Sequence, residues 1–176
     1  MDGPEHWHWG WESPTCELRG HMMGHWLSAA ARIYAQTGDG IVKSKADAIV
    51  EGLGQCQSAI GTGWLAAFPE TYMHRAANGK WVWAPHYTVH KLLMGLHEMY
   101  ALAGNQQALA IMTEIADWFY QWSGEFDREE MDDLLDIETI FLRAEERVTF
   151  FLLKKRNNGL KNRQMGLSIL NRLTQK

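Results

Sequence analysis

The chain has 176 residues, 46% of them hydrophobic, with nine tryptophans; that is enough apolar material for a packed core and excludes wholesale disorder. Its net charge of −4 hides two blocks: residues 1–138 carry 8 Lys and Arg against 19 Asp and Glu, and residues 139–176 carry 9 against 2. The larger block therefore has no basic stripe for nucleic acid, no apolar run reaches the ~18 residues of a membrane span, and no basic segment with an apolar core stands at the start as a secretory signal would.

Ser13-Pro14 opens the first predicted helix, with Ser at the N-cap and Pro at the first helical position. The helix runs to about Gln36 and stops at Thr37-Gly38-Asp39-Gly40. Within it lies Gly20-His21-Met22-Met23-Gly24-His25. Each interior glycine costs roughly 1 kcal/mol against alanine, and the useful reason to accept that is close approach of another helix or a ligand. His21 and His25 are four residues apart and share a face, as in the wall of a site.

A second helix covers roughly Val42 to Gln57, with Ala46, Ile49, Val50 and Leu53 on one side. Gly61 to Lys80 reads as a long irregular loop rich in Gly, Trp, Pro and Asn. Pro85 biases Ala84 toward extended geometry and, with Trp83, fixes the entry to a third helix, which begins near Thr88 and ends at Gly104. A fourth runs from about Asn105 to Trp122. Nothing alternates long enough for a strand, so the fold class is all-α. Cys16 and Cys56 lack Cys-x-x-Cys spacing, which argues against a structural zinc site; a disulfide between them requires an oxidising compartment.

The four helices form two copies of one hairpin. Tyr34 and Gly38 recur as Tyr100 and Gly104 at an offset of 66 residues, and the second helix of each copy carries an Ala-Asp pair, Ala46-Asp47 and Ala116-Asp117. A helix pair repeated at this period predicts a solenoid or a closed toroid of hairpins. The long aromatic loop between copies favours the toroid, whose loops gather at one mouth, a natural ligand site.

Four stretches then carry a resemblance. They are Gly10-Trp11-Glu12 through Cys16-Glu17-Leu18-Arg19-Gly20-His21, Gly24-His25-Trp26-Leu27-Ser28-Ala29, Trp64-Leu65-Ala66-Ala67-Phe68-Pro69-Glu70, and Val82-Trp83-Ala84-Pro85-His86-Tyr87-Thr88-Val89-His90-Lys91. In order and spacing they resemble the helical catalytic domain of glycoside hydrolase family 127, the β-L-arabinofuranosidase type. The resemblance implies an (α/α)6 barrel, or toroid, of which residues 1–138 supply the first hairpins, incomplete in this chain. It implies an arabinofuranoside-type carbohydrate as ligand.

Family members are retaining glycosidases that use a zinc-held cysteine thiolate as nucleophile and a glutamate as acid/base, in a region around a Glu-Thr-Cys motif. This sequence has no such motif. Neither Cys16 nor Cys56 matches a ligand position, so no catalytic residue, metal ligand or cofactor is carried over, and the chain alone is expected to be inactive.

The carry-over is a sugar-binding wall. His25 and His90 resemble histidines that hydrogen-bond arabinofuranose hydroxyls, since a neutral imidazole offers one donor and one acceptor. His21 either joins them or supports His25, and His86 and Tyr87 sit at the mouth. Trp64 stands where the family more often has tyrosine. His6, His8, His74 and His97 read as surface or packing residues. Glu12, Glu17 and Glu70 serve either as acceptors for a sugar or in local structure, the first two as helix N-terminal charge.

Beyond Glu138 the resemblance stops and the charge reverses. Either a shifted reading frame or misjoined exon produces residues 139–176, or they form a basic helix that binds a partner. A non-catalytic helical module that binds glycans or protein is thus the alternative to a glycosidase fragment. In either case exposed hairpin faces predict self-association.

Overall fold

The computed structural model describes residues 10–126. Among them lie five α-helices and no strand: α1 His21–Thr37, α2 Gly40–Ile60, α3 Thr71–Ala77, α4 Pro85–Ala103 and α5 Gln106–Ser123, preceded by a 3-10 turn at Gly10–Glu12. The all-α class is as expected. None of the described helices is long and apolar enough to cross a membrane. The readings of His6, His8 and residues 139–176 lie outside the described residues.

The repeat is a repeat of backbone. Gly38 and Gly104 end α1 and α4 in the left-handed conformation, at φ 69° and 71°. Their amides donate to Tyr34 O at 2.8 Å and Tyr100 O at 3.1 Å, which is why tyrosine and glycine recur four residues apart. Asp39 and Asn105 follow in extended geometry, ψ 99° and 104°, and cap the next helix. Asp39 Oδ1 accepts from the amides of Ile41 and Val42, and Asn105 Oδ1 from Ala108. Each two-residue turn thus satisfies the helix ends on both sides.

The first helices of the two hairpins, α1 and α4, meet at backbone distance. A Cβ on Gly24 would stand 1.9 Å from the Lys91 carbonyl oxygen, and one on Gly95 would stand 2.4 Å from the Gly24 carbonyl oxygen. Leu27 packs at this crossing, and Val89, Leu96 and Met99 are buried on α4. Below it, Glu98 of α4 is buried and accepts from Ser28 Oγ at 2.7 Å and Arg32 Nε at 2.8 Å, with Arg32 Nη2 on its other oxygen. This charge-assisted cluster fixes the two helices in register.

Three readings of local structure need correction. The first helix begins at His21, not at Pro14, because Gly20 takes φ 100° and turns the chain into it. The stretch read as loop holds α3, whose Met73 is fully buried and whose Arg75 reaches Glu17 Oε1 at 3.3 Å and Trp81 O at 3.0 Å. A seven-residue helix held by such tertiary contacts has too little periodicity to announce itself. Ala84 is left-handed, φ 47° and ψ 52°, rather than extended. Pro85 takes the first position of α4, and Ala84 O receives the Thr88 amide at 3.2 Å.

Candidate functional site

The start of α1 is built around one carboxylate. Glu12 reaches forward from the 3-10 turn and accepts the amides of Gly20 at 2.7 Å and Met22 at 3.1 Å, so it serves as a remote N-cap. The same carboxylate lies 2.9 Å from His21 Nδ1, which is also 3.1 Å from Leu18 O. Both neighbours are acceptors, so Nδ1 carries a hydrogen. Of the two roles open to Glu12, helix-terminal charge is the one seen.

His21 is buried and its ring contacts those of His25 and Tyr87, both at 6.1 Å between centroids. His25, half-buried, has Nε2 3.5 Å from the Tyr87 hydroxyl. Lys91 Nζ stands 4.9 Å over the Tyr87 ring, a cation–π contact. Burial, then the Lys91 charge, then His21 push the His25 pKa below the ordinary histidine value. The side chain is therefore neutral near pH 7 and keeps one donor and one acceptor, the valence that a hydroxyl matches.

The remaining described histidines, three on α4 and His74 on α3, divide. His90 and His86 are half-buried one turn apart. His90 directly precedes Lys91, whose carbonyl touches Gly24, and His25 directly follows Gly24, so His25 and His90 stand at the same crossing on opposite helices. His86 packs on Trp122 at 5.9 Å. His97 is buried, with its pKa lowered by burial against the opposing pull of Glu98. His74 is exposed and lies edge-on to Trp118.

Trp64 is not brought to this cluster. Its side chain is 2% exposed, donates Nε1–H to Phe68 O at 3.0 Å, and packs on Trp118 at 4.4 Å. It packs in the core, with its one polar atom used within the loop. Glu70 belongs to the same core, accepting from Trp118 Nε1 at 2.7 Å. Glu17 holds the entry to α4 through the Trp83 amide at 2.8 Å.

Lys91 and the Glu98 cluster were not singled out from sequence. Lys91 is four residues from Tyr87, a helical spacing that places the pair together. Nothing local marks Glu98, whose partners lie 66 and 70 residues away. Cys16 is half-buried and Cys56 exposed, both free thiols. No group of three or more His, Cys, Asp or Glu side chains among the described residues has an arrangement that fits a metal ion, so no step through zinc is derived on these residues.

No curated protein matches the chain. A family model does, over residues 4–142: the β-L-arabinofuranosidase, GH127 catalytic domain. That span contains the hairpins, the close α1–α4 crossing and the histidine cluster, and the chain belongs to the GH127 catalytic-domain family.

Proposed function

We propose that the described residues form part of the sugar-binding wall of a β-L-arabinofuranosidase-type glycoside hydrolase. His25 and His90 hydrogen-bond the hydroxyls of an arabinofuranoside. His21 and Tyr87 hold the His25 ring, and His86 stands at the rim. The observation that supports this best is the pairing of a neutral, half-buried His25 with Tyr87 and Lys91 at a glycine-lined helix crossing. Two helices brought together without intervening side chains leave their flanking polar groups close enough to converge on one small ligand.

The role is binding and orientation. We assign no nucleophile, acid/base or metal ligand to the described residues.

Titration of the 176-residue chain with methyl β-L-arabinofuranoside, followed by NMR, tests the reading. Saturable shifts of the histidine ring signals are expected, with at least tenfold weaker binding in His25→Ala and in His90→Ala, and no saturable response to methyl glucoside. Equal affinity in wild type and both variants would sink it.

A further inference from the structure

Two exposed tryptophans form a fixed corner beside the histidine cluster. Trp11 is 61% exposed and Trp83 is 37% exposed. Their rings lie 6.4 Å apart with planes at 86°, and Trp11 also lies 5.9 Å from the His21 ring. Surface hydrophobic residues scattered singly are ordinary, but these two indoles stand together. Here both backbones are anchored. Trp11 lies inside the 3-10 turn, directly before Glu12, whose carboxylate caps α1. Trp83 donates its amide to Glu17, and Glu17 in turn holds Arg75, which binds the Trp81 carbonyl.

We infer that this corner is a second sugar subsite, which stacks the ring joined to the arabinofuranose held by His25 and His90. Perpendicular indoles present one flat apolar face and one edge. A sugar ring matches them, with an apolar C–H face bounded by hydroxyls. The position fits this occupant because Trp11 touches His21, which touches His25, so a ligand leaving the histidine wall meets an indole next. A protein partner would call for a broader apolar patch with a polar rim. The inference rests on the sugar-binding reading of the histidine cluster.

The test compares one ring with two. Methyl β-L-arabinofuranoside and a β-linked arabinofuranose disaccharide are titrated into the 176-residue chain and into Trp11→Ala, Trp11→Phe and Trp83→Ala. Wild type is expected to bind the disaccharide at least fivefold more tightly. Trp11→Ala and Trp83→Ala lose that preference and keep the monosaccharide Kd within twofold, and Trp11→Phe retains part of it. Thermal midpoints within 2 °C of wild type confirm that the exposed positions leave folding intact. If the monosaccharide binds but wild type shows no disaccharide preference, or Trp11→Ala preserves it, the subsite is wrong and the histidine wall stands. If neither sugar binds wild type, the histidine wall is wrong and the subsite falls with it.

Discussion

The pair α1–α4 and the pair α2–α5 come from the same repeated hairpin, yet they meet in opposite ways. At α1–α4, backbone touches backbone through Gly24 and Gly95, with Ser28, Arg32 and Glu98 clamped beside them. The α2–α5 pair meets through side chains that reach across. Gln57 of α2 is buried and donates to Ile111 O of α5 at 3.2 Å, and Asp47 accepts from Asn105 Nδ2 at 2.7 Å. Close approach fixes one geometry because a rigid carbonyl cannot move aside, whereas polar side chains adjust. The histidine cluster sits on the pair whose position is fixed.

The largest expected effect breaks that contrast at its sharpest point. Gly24→Ala and Gly95→Ala drive a Cβ into backbone and are expected to cost at least ~3 kcal/mol, at the upper end of overpacking. Gly52 of α2 has nothing within 4 Å of where its Cβ would lie. Gly52→Ala is therefore expected to stabilise by about 0.5–1 kcal/mol through helix propensity alone. Chemical denaturation of the three variants gives the comparison, and a tolerated Gly95→Ala would remove the close crossing as the fixing element.

Next in size is the buried carboxylate. Glu98→Ala leaves Ser28 and Arg32 without their acceptor and is expected to cost about 2 kcal/mol. A thermal midpoint unchanged from wild type would show that the cluster does not hold α1 on α4.

The two hairpin turns allow a finer measurement. Asp39→Ala loses a cap alone, worth about 1 kcal/mol. Asn105→Ala loses a cap and the bond to Asp47, and is expected to cost about 1 kcal/mol more. In an Asp47→Ala background that excess should vanish. A double-mutant cycle with no coupling would place the α2–α5 tie elsewhere.

The hairpins were legible because their signals are local. Tyr34–Gly38–Asp39 and Tyr100–Gly104–Asn105 satisfy helix ends within a few residues, so the pattern survives without knowledge of the fold. The need for close approach at Gly24 was also legible, as a propensity sacrificed without local reason. Its partner Gly95 was not, since a crossing point belongs to two helices at once. Gly20 was misread as helix interior because the Glu12 carboxylate that makes it a helix start lies eight residues back. Trp64 and His25 look alike in a motif, and the structure separates them: Trp64 is buried with its indole nitrogen bonded to Phe68 O, whereas His25 is half-buried beside Tyr87. His25 could be proposed from its motif, but its lowered pKa comes first from burial and then from Lys91 across the crossing, neither of which the motif shows.

That neutral state gives the smallest effect and the one that locates charge sensitivity in one pair. His25 of α1 and His97 of α4 both have pKa values lowered from the ordinary 6.5, in each case chiefly by burial. Lys91 and His21 face His25 and lower it further, while Glu98 beside His97 pulls the other way. The unfolded chain takes up protons on these rings near pH 6.5, and the folded chain resists until lower pH. Below about pH 6.5 the unfolded state therefore binds more protons, and stability falls with falling pH until the folded pKa values are passed. Both shifted rings lie on α1 and α4, and no histidine lies on α2 or α5, so the dependence expected from them belongs to the α1–α4 pair. Thermal midpoints measured from pH 7.5 to 5.5 should decline below pH 7. His97→Gln should flatten the decline, and His25→Gln should flatten it less, because His25 is only half-buried and water shares its solvation. If the decline is unchanged in His97→Gln, the sensitivity belongs to other groups and the α1–α4 pair loses this distinction.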